Sequence, residues 1–396
     1  MRVRRVPAAD VRVESAAVPA RIALLGTGNV GRAVLERLGH WSGPPSYGTH
    51  WSAAPRSVRL LLVHAANSRF AIGNCTGLPP HRVEHLLGDG AQPGGLDAVA
   101  RSLGDEGWPV GRRGGARRRQ DGERIVIDAT ASAEVADRHA AWLAQGIHVV
   151  TACKIGQGTS LSRWQAIRSA RERGGSQYGD GATVGAGLPL LRSVRELRAG
   201  GDRIHAIAGV LSGSLAWLFD QYDGQRPFSG YLRAARDAGY TEPDPRDDLS
   251  GEDVRRKLLV LARAAGTALE ERDVDVESLL PGPLAALSLR QVDAALPMLD
   301  APLRERHALA HARGEKLRFI ARLELADGGA TIARVGLESM AAAHPLAAGA
   351  GTDNRLAIWS DRYRGQPLLI QGPGAGAAVT AAALLDDVLR IAGHGR

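Results

Sequence analysis

Residues 21–38, RIALLGTGNVGRAVLERL, constrain the fold more tightly than any other stretch of this 396-residue chain. An apolar run enters a glycine turn and leaves it with helical periodicity, so Gly26, Gly28 and Gly31 form G-x-G-x-x-G in a strand–turn–helix context. Gly26 permits the tight turn, Gly28 lets a pyrophosphate approach the backbone, and Gly31 lets the helix lie against the strand. Asn29 and Val30 open that helix, whose N-terminus meets the phosphates. A dinucleotide is therefore expected on Gly26, Gly28, Asn29, Val30 and Gly31.

The pattern continues as alternating strands and helices. A second strand is expected at 58–65, after a Gly-, Pro- and Ser-rich insertion at 39–57 that reads as a loop. The residues that follow it contain no acid for a ribose 2′-OH and include Arg69, which can pair with a 2′-phosphate. The cofactor expected is NADP, with NAD possible. Further strands at 124–129 and 147–151 flank a helix near 133–145 that Gly146 stops. Thr130 and Lys154 each follow a strand end, where such sheets bind ligands. The fold class expected is α/β, a Rossmann-type doubly wound parallel sheet.

After Lys154 the pattern changes: a helix at 161–173, a small-residue turn at 183–188, and an apolar strand at 204–211. A second α/β domain, catalytic and dimerising, is expected there. A strand, glycine turn and alanine-rich helix at 368–391 is expected to pack back on the first domain. The domains expected are an N-terminal extension at 1–20, a discontinuous dinucleotide-binding domain at 21–154 plus 345–396, and a substrate-binding domain at 155–344.

Composition narrows the function classes. With 44% apolar and 23% charged residues the chain is globular, and no apolar run of about 18 residues could span a bilayer. The first twenty residues lack the apolar core of a secretory signal, and Cys75 and Cys153 are too few for a disulfide scaffold. A cytoplasmic protein with reduced thiols and no membrane contact is expected. The net charge of +8 is small for this length, and the basic run 112–119 reads as a solvated loop, so no nucleic-acid partner is expected.

The lysines say more than the net charge. Of 50 Lys plus Arg residues only Lys154, Lys257 and Lys316 are lysine. Each is a candidate for work that a guanidinium cannot do, above all releasing a proton near neutrality. Lys257 lies in GYTEPDPRDDLSGEDVRRKLLVLARAAG, residues 239–266. Pro243 and Pro245 predict a stiff acidic loop carrying Glu242, Asp244, Asp247 and Asp248. Ser250 and Asp253 predict a capping box at the start of the next helix, on which Asp253 and Lys257 share a face as i and i+4. The plain structural alternative is a capped helix with a surface ion pair. A rigid set of carboxylates beside a rare lysine points instead to a substrate ammonium and a moving proton.

These residues closely resemble the signature of homoserine dehydrogenases. GTGNVG, AANSR, DATAS, VVTACK, VGAGLP, GDRIHAIAGVLSGSL and QGPGAGAAVTAAALLDDVLRIA follow in that family's order. The ending DNRLAIWSDRYRGQPLLIQGPGAG looks most like the dehydrogenase half of fused aspartokinase–homoserine dehydrogenases, here without a kinase region. The resemblance implies a homodimer that reversibly reduces L-aspartate 4-semialdehyde to L-homoserine, on the route to threonine and methionine. It implies Lys257 as proton donor and acceptor, Glu242 and Asp253 as substrate-binding acids, and Thr130, Lys154, Gly239 and Gly376 against the cofactor. It also implies a monovalent cation on the backbone carbonyls of Val184, Ala186 and Leu188 plus a glutamate, although Gly181 stands at the glutamate position with Asp180 beside it. Cys153 replaces the usual asparagine and Ser214 a common threonine. The competing reading is a catalytically silent nucleotide-binding regulator of the same fold.

Overall fold

The computed structural model describes residues 19–42, 58–88, 91–104, 122–325 and 331–394. The basic run 112–119 and most of the N-terminal extension lie outside them, and Ala20, assigned to that extension, already belongs to the first strand.

Seven strands form the first sheet: β1 Ala20–Leu25, β2 Leu60–Ala66, β3 Phe70–Gly73, β4 Gln92–Pro93, β5 Arg124–Asp128, β6 His148–Thr151 and β7 Tyr178–Gly179. Their order is β4-β3-β2-β1-β5-β6-β7, and β2, β1, β5, β6 and β7 run parallel. Alternate side chains of β1 build two different cores. Ile22 and Leu24 pack with Val34 and Leu38 of the first helix, while Ala23 and Leu25 pack with Val135, Trp142 and Leu143. Helices thus cover both faces, the arrangement that buries parallel strands, while β3 and β4 extend one edge antiparallel. The expected insertion loop begins later than its composition suggested, because 39–42 continue the helix Asn29–Ser42.

The second sheet contains β8 Ile204–Val210, β9 Asp275–Val276, β10 Glu315–Leu325, β11 Thr331–Ala341, β12 Asp353–Ser360 and β13 Leu368–Pro373, in the order β13-β12-β8-β10-β11-β9. Its pairings are antiparallel except β11 with β9. One face carries a large core that includes Leu258, Leu261, Phe319 and Leu323, and the other a small cluster around Ala208, Ile320, Met340 and Ala357.

Two boundaries shift from the sequence reading. The nucleotide layer continues past Lys154, because the helix Leu161–Gly174 crosses from β6 to β7 and buries Ile167 and Ala170 against the first sheet. A parallel neighbour requires that crossover. At the other end, 345–396 divides. β12 and β13 are an antiparallel pair beside β8 and belong to the second sheet, whereas the helix Ala377–His394 returns to the nucleotide layer, where Leu384, Leu385 and Val388 join the core of Ile22 and Leu24. No described helix is long and apolar enough to cross a membrane.

Candidate active site

The fingerprint glycines occupy the turn between β1 and its helix. Gly26 has φ +91°, and a Cβ there would come within 2.7 Å of the Ala129 carbonyl oxygen; one on Gly31 would stand 1.9 Å from the Gly26 oxygen. A Cβ on Gly28 would meet nothing within 4 Å, which leaves open space at the helix entrance beside Asn29 and Val30. β1 lies between β2 and β5, so the chain's crossovers diverge here, at the crevice where doubly wound sheets take nucleotides. Arg69 is exposed just beyond β2, its turn fixed by its amide donating to Asn67 Oδ1 at 2.8 Å.

Asp128, the last residue of β5, organises the neighbouring strand ends from a fully buried position. Its Oδ1 accepts from the Thr130 amide at 2.9 Å and the Thr130 hydroxyl at 2.7 Å. Its Oδ2 accepts from the Thr151 hydroxyl at 3.0 Å and lies 3.1 Å from His139 Nε2, while His139 Nδ1 lies 3.0 Å from the Tyr178 hydroxyl. Thr151 in turn accepts the Cys153 amide at 2.8 Å, which fixes the turn that presents Lys154. Burial, then the Asp128 charge, pushes the Cys153 thiol up to about 11, so it stays a thiol.

Lys154 meets the helix Glu252–Ala264 of the second domain. Its Nζ is 3.3 Å from Asp253 Oδ1, and Lys257 Nζ is 2.8 Å from Asp253 Oδ2. Burial favours a neutral Asp253, yet the two ammonium groups outweigh it and hold the carboxyl well below the usual carboxylate range. Lys257 also donates to the Leu211 carbonyl at 2.7 Å, and its side chain is only 11% exposed. Two of the three ammonium protons are thereby placed, and one remains for a substrate oxygen. Lys316, the second residue of β10, is exposed and takes no part in this cluster.

The acidic segment differs from expectation. Pro245 occupies the first turn of a short helix, Pro245–Leu249, where its missing N–H costs nothing, and Asp244 caps it. The expected capping box is not formed: Gly251, at φ +76°, is the N-cap of the next helix, and Asp253 turns to the lysines instead. Asp248, raised by burial, accepts the Ser214 hydroxyl at 2.5 Å and the Glu242 amide at 2.8 Å. Glu242 itself is exposed, on a segment that Asp248 positions. Beside it the Thr241 hydroxyl is buried without a partner. Gly239 and Gly376 are exposed glycines at positive φ with open space around them.

The structure therefore brings Lys154, Asp253 and Lys257 into one cluster beyond the strand ends that carry Thr130. Sequence reasoning overlooked Asp128, His139 and Thr241, and took Asp248 only as one acid of the loop. Asp128 carried a readable signal, a carboxylate directly after the apolar Ile125, Val126 and Ile127 of β5. The others depend on long-range placement.

Models of known families match both layers. The homoserine dehydrogenase model covers residues 189–389, and the model of the homoserine dehydrogenase NAD-binding domain covers residues 26–178. The chain belongs to the homoserine dehydrogenase family. A homoserine dehydrogenase from Schizosaccharomyces pombe is 31% identical over 378 residues, which are 93% of this chain and 94% of that one. A maize chloroplastic bifunctional aspartokinase/homoserine dehydrogenase is 34% identical over 394 residues, covering 99% of this chain but 40% of its own length. Among solved structures, a Candida auris protein of unknown function superposes with a TM-score of 0.81 at 30% identity, over 95% of this chain and 98% of that one. The NAD-binding match supports a nicotinamide cofactor for this homoserine dehydrogenase family member.

Proposed function

We propose that the protein interconverts L-aspartate 4-semialdehyde and L-homoserine, with Lys257 as the general acid and base. The observation that carries this reading is the Lys257 ammonium, nearly buried and fixed by Leu211 and Asp253 next to Lys154, the lysine just beyond β6. The open turn at Gly28 and the helix entrance at Asn29 fit a pyrophosphate, and Arg69 fits a 2′-phosphate. The bound nicotinamide supplies or accepts the hydride at the carbon that is aldehyde in one direction and alcohol in the other.

The remaining steps fall to the chain. In reduction Lys257 gives a proton to the developing alkoxide; in oxidation it takes the hydroxyl proton. Lys154 adds positive charge beside the same oxygen, and Asp253 orients both ammonium groups. Glu242, with the unpartnered Thr241 hydroxyl beside it, binds the substrate ammonium. A second copy of the chain is the expected partner, on the sheet face away from the helices. Ile332 and Leu369 stand exposed there at 54% and 41%, and molar mass by light scattering checks for the dimer.

A spectrophotometric assay of homoserine oxidation with NADP and with NAD tests the reaction. Nucleotide binding with no turnover would favour the silent regulator instead. Arg69→Ala separates the cofactors: KM for NADP should rise about 10- to 100-fold, the worth of a charge-assisted hydrogen bond, with little change for NAD. Equal changes for both would remove Arg69 from the 2′-phosphate. This reaction places the protein on the route to threonine and methionine.

A further inference from the structure

We infer that the loop 184–188 is held by two guanidinium–carboxylate pairs and needs no alkali-metal ion. The kinetic part of the test rests on the proposed reaction; the thermal part does not. An ion among the carbonyls of Val184, Ala186 and Leu188 would need a neighbouring carboxylate to offset its lost hydration. Residue 181, next to this loop, is glycine. Two carboxylates approach it, and both are matched.

Asp180, 1% exposed, receives Arg195 on both oxygens, at 2.6 Å on Oδ1 and 2.5 Å on Oδ2, while Gln157 donates to Oδ2 at 2.6 Å. The Asp180 carbonyl also accepts the Thr183 amide at 3.0 Å and hydroxyl at 2.7 Å, so the same residue pins the loop's entry. Asp387 enters from the helix Ala377–His394 and fills the space of a side chain at position 181: a Cβ there would lie 3.2 Å from its Oδ2. That oxygen accepts the Gly181 amide at 3.0 Å, and Oδ1 accepts from Arg390 at 2.7 Å. Of the three carbonyls, Leu188 already accepts the Leu190 amide at 2.8 Å.

Two carboxylates and two guanidinium groups sum to no charge, so an added cation would be an unmatched charge there. Asp180 and Arg195 act on loop position, through Thr183, and not on the reacting atoms. Arg195 is a positioning residue that supplies the charge an ion would otherwise bring.

The test compares the protein in choline chloride, NaCl and KCl at equal ionic strength. Wild type should keep turnover within about two-fold across the three salts and its melting temperature within about 1 °C. A turnover loss of about ten-fold or more in choline, or a lower melting temperature that either alkali ion restores, overturns the inference. Arg195→Met leaves Asp180 unmatched, so that variant should melt higher in NaCl or KCl than in choline. Identical melting in all three would show that Arg195 is not the counter-charge. If it does not fold, Asp180→Asn with Arg195→Met removes both charges and should melt alike in every salt; alkali dependence there overturns the inference, and the wild-type comparison decides alone if neither variant folds. Absence of turnover in every salt counts against the reaction and leaves the thermal result standing.

Discussion

Lys257→Arg should lower turnover in homoserine oxidation by about 100-fold or more, while nucleotide affinity should stay within about two-fold. The guanidinium keeps the positive charge opposite Asp253, so electrostatics alone would predict a mild loss. It cannot release a proton near neutrality, and its planar fork cannot reproduce the ammonium's separate bonds to Leu211 and Asp253 with a third proton left for substrate. Single-turnover measurement of the nicotinamide absorbance, beside a nucleotide titration, checks both parts. Near-normal turnover in this variant would remove Lys257 from proton transfer.

Asp253→Asn should cost turnover on the order of 100-fold, with the larger share in kcat and the smaller in KM for homoserine. As a substrate-binding acid Asp253 would act chiefly through KM. In the structure its two oxygens face Lys154 and Lys257, so its loss leaves two neighbouring ammonium groups without their shared counter-charge. Asp253→Glu, which keeps the charge, should recover part of the loss. A pure rise in KM would return the residue to simple substrate binding. The pH dependence has a definite sign. With its folded pKa depressed, Asp253 contributes stability above the unfolded carboxylate value and loses it as pH falls toward the lowered value. Its own titration therefore leaves activity near neutrality untouched.

The nucleotide layer was legible because its rules are local. β1 shows its two-faced burial in apolar residues, and the turn after it needs glycines that steric contact with Ala129 and Gly26 makes hard to replace. The Asp253–Lys257 contact follows from helical spacing alone. What escaped was set by distant partners. β12 and β13 carry no mark saying that they pair beside β8, so the boundary at 345 was misplaced. Ser250 and Asp253 have the right spacing for a capping box, but Lys154 and Lys257 compete for the Asp253 carboxylate, and Gly251 takes the cap position. Pro245 was read as a helix breaker although in the first turn it is a helix starter.

The return of the helix Ala377–His394 to the first sheet sets an order of assembly during translation. β1 is made long before this helix, yet part of the apolar side of Ile22 and Leu24 is closed by its Leu384, Leu385 and Val388. Until the ribosome has passed these residues, that face is covered only in part, by Val34 and Leu38 of the first helix and their neighbours, and a newly made chain must shield the remainder.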